Sequence, residues 1–178
     1  MSLSKSGLKA ALKAALEEQL AKTSGATLVP EMPPALKTAL GKAYHDYASE
    51  ATIGAGKLST KGAATDVSGA LAGFFDGWEA GTKAWWGAAA ADTGNGTYIT
   101  GAKPTVSGLS GLGADIKKFL PDPAGDLTEA PATELDDFCD KLSTALHKFT
   151  TKIEVPTDDD NSAKSSGPTP TSPVPKAS

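Results

Sequence analysis

Apolar side chains recur with a helical period in five stretches of this chain, separated by connectors rich in proline and glycine. In residues 3–22, Leu8, Leu12, Leu16 and Leu20 return at every fourth position, with Ala11 and Ala15 between them and Lys9, Lys13, Glu17 and Glu18 elsewhere. Alanine, leucine, lysine and glutamate favour helix, so the pattern predicts an amphipathic helix with a narrow leucine seam. Such a seam either packs on the body of its own domain or docks on a neighbouring subunit. Residues 34–52 put Leu36, Ala39, Leu40, Ala43, Tyr44, Tyr47, Ala48 and Ala51 on one face, with Pro33 or Pro34 in the first turn, where a missing N–H is harmless. Residues 133–153 align Leu135, Phe138, Cys139, Leu142, Leu146, Phe149 and Ile153. Thr133 is placed to cap that helix, and Glu134, Asp136 and Asp137 suit its N-terminal dipole. A shorter helix over 107–120 carries Leu109, Leu112, Ile116, Phe119 and Leu120, and Pro121 and Pro123 stop it.

The fifth stretch, residues 66–91, holds all three tryptophans of the chain. Val67, Leu71, Phe74, Phe75, Trp78 and Trp85 make a broad apolar face, while Gly69, Gly73, Gly77 and Gly81 recur at every fourth position beside it. Each glycine inside a helix costs about 1 kcal/mol relative to alanine, so an isolated peptide of this sequence is a poor helix. Packing has to hold it. The expectation is one central helix capped by Thr65 or Asp66, with Phe74, Phe75, Trp78 and Trp85 as anchors. Gly73 and Gly77 are the points where a neighbouring backbone comes close. A membrane span is the alternative for 67–91, since spaced small residues also mark membrane-helix contacts. Asp76, Glu79 and Lys83 in its middle oppose that, at about 2.5–3.5 kcal/mol per charge.

Residues 53–65, rich in Gly, Ser, Thr and Lys, read as a loop anchored by Leu58. Thr97–Thr100 and Thr105–Ser107 are strand-like runs, which make 92–109 a short hairpin or an extended arm. From Glu154 onward the sequence is Pro/Ser/Thr-rich with a valine near each end, too few apolar groups to offset chain entropy. The fold class is therefore mainly α: a bundle of about four to five helices over 1–153 with a short β-hairpin or arm, and a disordered tail over 154–178.

Composition removes several functions. All 17 basic residues are lysine. Without arginine the chain lacks the fork that grips phosphates and guanine edges, which argues against nucleic-acid readout. The single cysteine, Cys139, has no internal disulfide partner and sits in an apolar stripe, as a buried small hydrophobe does. No apolar run of the kind a signal peptide needs follows Met1. His45 beside Asp46 invites a catalytic reading, but both fall off the apolar face and read as an exposed pair. Gly54–Ser59 is reminiscent of a phosphate loop, yet leucine follows Lys57 and the segment follows a helix, against the required order. Asp158, Asp159 and Asp160 lack the spacing of a calcium loop. No spacing calls for a metal, a cofactor or a small-molecule substrate, and no nucleophile–base pair stands out, so the expectation is a protein that is not an enzyme.

In general make-up the chain resembles small virion proteins of tailed bacteriophages and related contractile injection particles. The likeness covers about the first 110 residues: an Ala/Leu/Lys opening helix (SLSKSGLKAALKAALEEQLA), a tyrosine-bearing alanine helix (ALKTALGKAYHDYASEA) and a Gly/Ala/Thr-rich segment (GTYITGAKPTVSGLSGLG). It implies a non-enzymatic particle component, made in the host cytoplasm, whose partners are copies of itself and neighbouring particle proteins.

Overall fold

A leucine seam needs an apolar partner, and the chain supplies two. In the computed structural model, which describes residues 3–22, 32–53, 56–71, 77–92, 101–119 and 132–155, helix α1 (Lys5–Lys22) packs against both α2 (Pro34–Ala48) and α6 (Ala132–Thr150). Leu8, Leu12 and Leu16 are almost completely buried, in one cluster with Leu36 and Leu40 of α2 and Leu135, Phe138, Leu142 and Leu146 of α6. Each such side chain contributes roughly 1.5–3 kcal/mol by leaving water. From Leu8 to Leu16 the seam is thus satisfied inside its own chain; the Leu20 side chain lies outside the described residues. Outside it, Lys9 and Lys13 both reach Asp136, at 2.7 and 3.1 Å, and Lys5 reaches Asp140 at 3.5 Å. Asp136 is held below the usual carboxylate range by its hydrogen bonds to Lys9 and Lys13. These partly exposed pairs set the register of α1 on α6 more than they add stability.

The remaining elements are α3 (Ala64–Ala70), α4 (Trp78–Ala88), α5 (Leu112–Lys117) and three short strands, β1 (Thr52–Ile53), β2 (Gly56–Thr60) and β3 (Ala90–Asp92). The protein is mainly helical, with one small antiparallel sheet of order β1-β2-β3. α2 packs on α3, α3 on α4, and α5 rests between α4 and α6. The core reaches Val155, which is fully buried, and Thr105 N–H donates to Glu154 O at 2.7 Å. The body therefore continues two residues past the boundary expected at 153; the rest of the tail lies outside the described residues.

Residues 66–91 do not form one helix. α3 stops at Ala70 and α4 starts at Trp78, with Gly77 as its N-cap at φ +93°. A left-handed φ cannot be accommodated within a right-handed helix, and a Cβ at Gly77 would lie 1.9 Å from Ala70 O. Gly77 is thus a close-approach point, but at a reversal of the chain and not along a helix face. At Gly81, by contrast, a Cβ would come within 2.9 Å of Val67 Cα, so here two helices do meet backbone to backbone. Gly73, Phe74 and Phe75 lie outside the described residues; Val67, Leu71, Trp78 and Trp85 are buried, and so is Trp86. The expected cap is displaced as well. Ala63 is the N-cap of α3, and the Asp66 carboxylate, three residues on, accepts from Ala63 N–H at 2.7 Å.

Two further expectations change. The segment read as a loop contributes β2, whose low intrinsic strand preference is overridden by pairing on both sides, with β1 and with β3. Within the hairpin or extended arm expected over 92–109, Thr105 bridges to Glu154 and Ala102 forms a bridge with Ala91 of β3, which itself pairs with β2. Thr97–Thr100 lies outside the described residues. α5 is also shorter than expected, because Gly108 and Gly111 carry left-handed φ of +84° and +98° and close off the helix at its start.

Candidate functional site

Tyr44 and Tyr47 stand one turn apart on α2, and both point inward. A buried phenol needs a hydrogen-bond partner, and so does a buried indole. Trp86 Nε1–H donates to Tyr44 Oη at 2.9 Å, and Tyr44 Oη lies 2.8 Å from Thr150 Oγ1 at the end of α6. Burial pushes the Tyr44 phenol up to about 12, partly offset by its contacts with Thr150, Trp86 and Thr82. Three residues on, Tyr47 Oη lies 2.7 Å from His147 Nδ1. Burial, reinforced by Tyr44, raises Tyr47 strongly, so its phenol stays protonated. His147 is held below its ordinary value by partial burial and then by the Lys5 ammonium. Two tyrosines of α2 thereby tie α4 and the last turns of α6 together.

Around this knot the rings meet edge to face. Trp85 and Trp86 have centroids 5.0 Å apart, and Tyr44 contacts Trp78 and Trp85 at 6.3 Å each. Such contacts add about 0.5–1.5 kcal/mol beyond burial. Among the described residues two polar atoms here lack a partner: Trp78 Nε1 and Thr82 Oγ1, one turn apart on α4. Thr82 lies close enough to Tyr44 to influence its phenol, yet its oxygen closes no hydrogen bond of good geometry.

His45 is not the exposed residue expected from its place off the apolar face. It is half-buried, with Nδ1 at 3.0 Å from Gly62 O and 3.1 Å from Trp85 Nε1. One nitrogen cannot donate to the carbonyl and accept from the indole in the same tautomer. Asp46 does face solvent, paired with Lys42 on its own helix. Cys139 is fully buried, and burial followed by the Asp136 charge pushes its thiol up to about 12, so it is a packing group and not a nucleophile. Gly56–Thr60, the described end of the segment compared with a phosphate loop, is committed to sheet pairing. Among the described residues no three His, Cys, Asp or Glu side chains are grouped to hold a metal. Among them too, no helix is long and apolar enough to cross a membrane.

Sequence periodicity gave no hint of Glu79. Its Oε2 accepts from the amides of Gly111 and Gly113, at 3.1 and 3.3 Å, and its Oε1 accepts from Lys83 Nζ at 3.1 Å. A carboxylate on α4 thus caps α5 from across the fold. Partial burial alone would raise this carboxyl, but Lys83 and the two amides outweigh it and hold it below its ordinary value. Glu79→Gln is expected to cost about 1–2 kcal/mol in urea unfolding. The carboxylate's contribution is present above the unfolded-state value and is lost as pH falls through the depressed folded one. The native–variant gap in stability therefore narrows in acid, which melts at falling pH would read.

Compared with known protein families, curated proteins and solved structures, the chain matches none.

Proposed function

We propose that this chain is a non-enzymatic structural subunit, an assembly component of the head, neck or tail of a phage-like particle, that binds copies of itself or neighbouring particle proteins. The observation that carries the reading is where its reactive side chains go. Tyr44, Tyr47, His45, His147 and Cys139 each join one element to another or fill the core. Their chemistry is used to hold helices in register, which is what a building block requires of its interior. The resemblance of the first 110 residues to small virion proteins points the same way. So does the Pro/Ser/Thr-rich composition of 156–178, a segment suited by its sequence to reach a neighbour.

The leucine seam of α1 and the tryptophans of α4 are buried within the chain, so the contacts with partners belong to other surfaces. Size-exclusion chromatography with light scattering, alone and with the products of the genes flanking this one, tests the reading. Self-association or co-elution with a flanking product is expected. A monomer that binds none of those products overturns it.

A further inference from the structure

We propose that the Tyr47–His147 pair is an acid-sensitive latch that fastens the C-terminal end of α6 to α2 at neutral pH and releases it when His147 takes a proton. The inference goes beyond the assembly role and does not depend on it. Its basis is geometric. α1 lies against both α2 and α6, and what bridges those two helices at the C-terminal end of α6 is a pair of phenols: Tyr44 to Thr150 at 2.8 Å and Tyr47 to His147 at 2.7 Å. The first of these contains no group that titrates near neutrality; the second does.

The latch is the arrangement in which the imidazole proton is on Nε2: the protonated phenol then donates and His147 Nδ1 accepts. Protonation turns Nδ1 into a donor. The bond survives only if the Tyr47 hydroxyl turns its own hydrogen away, toward Thr150, whose oxygen it must then share with Tyr44. The new charge also meets an unfavourable setting. From α1 it faces the Lys5 ammonium, which is itself held by Asp140 and Thr144; from α2 it faces the uncharged Tyr47. On its own helix Lys148 is adjacent, and Asp115 of α5 is paired with Lys118 while interacting with Lys148 and Lys152. The ring is only part-buried, so water can reach the freed imidazolium and complete the release. A few residues further on, Ile153 and Val155 enter the core and Glu154 O holds Thr105 N–H, so these groups lie close enough in the chain to register the release.

The sign follows from the depressed folded-state value of His147. The unfolded chain binds the proton more readily, so the latch's contribution is complete above the ordinary histidine value. It is lost as pH falls through the lower value of the folded protein. The test uses the full chain. Histidine Cε1–H resonances and backbone amide shifts are followed from about pH 8 to about pH 5, the range in which imidazoles titrate. His147 is expected to titrate below the ordinary histidine value, and the Thr105 and Val155 amides to shift with the same midpoint. Thermal melts are expected to fall over this range in the native protein and in His45→Gln, and to flatten in His147→Gln, which keeps an acceptor and loses the titration. A His147 midpoint at or above the ordinary value, amides at 105 and 155 that ignore it, or a native pH slope in His147→Gln overturns the latch. If His147→Gln does not fold, the resonances of the native protein decide alone.

Discussion

Gly77→Leu is expected to destabilise the protein by about 2–5 kcal/mol, and Gly77→Ala by most of that amount. Two penalties combine. A side chain at φ +93° costs about 1–2 kcal/mol in backbone strain. A Cβ placed 1.9 Å from Ala70 O forces the end of α3 away from the start of α4, an overpacking cost of about 1–3 kcal/mol. Gly69→Ala provides the contrast. Gly69 lies within α3, its Cβ would meet nothing within 4 Å, and alanine there should raise stability by about 0.5–1 kcal/mol. Urea unfolding of the two alanine variants reads the difference directly. Equal effects at the two sites would mean that the chain does not reverse at Gly77 and that 66–91 is one helix after all.

That contrast shows where the sequence was legible. The leucine seam of α1, the face of α2 and the stripe of α6 follow from period alone, because in each the same side chains set the helix and fill the core. The apparent glycine stripe failed for a physical reason. Period 3.6 reports which residues would share a face if the backbone stayed helical, and glycine is the residue least able to keep it so. Gly69 sits in open helix, Gly77 turns the chain, and Gly81 admits Val67 of the neighbouring helix; one spacing covers three roles. β2 was hidden because its strand character comes from its neighbours β1 and β3 and not from Gly56–Thr60 itself. Glu79 was hidden because its partners, Gly111 and Gly113, are 32 and 34 residues away and are backbone amides, which no residue identity announces. The tyrosines of α2 were visible as core positions. A rule that a buried phenol demands a polar partner would have pointed to His147, at the edge of the α6 stripe.

Tyr44→Phe is expected to cost about 2–4 kcal/mol, although it removes one oxygen and leaves the ring in place. The loss falls on the groups left behind. Trp86 is fully buried and its indole can only donate, so without Tyr44 Oη its N–H loses its acceptor. Thr150 is fully buried too, but it lies at the end of a helix and can turn its hydroxyl toward a carbonyl of the preceding turn, which softens its share. Tyr47→Phe should cost less, about 1 kcal/mol, because the stranded His147 is only partly buried and can turn to water. A double-mutant cycle between Tyr44→Phe and Thr150→Val separates the contributions: a coupling of about 1 kcal/mol is expected, since valine no longer needs the phenol. If Tyr44→Phe is as stable as the native protein, the knot is ordinary apolar packing, and the polar side chains of the interior do not hold the helices in register.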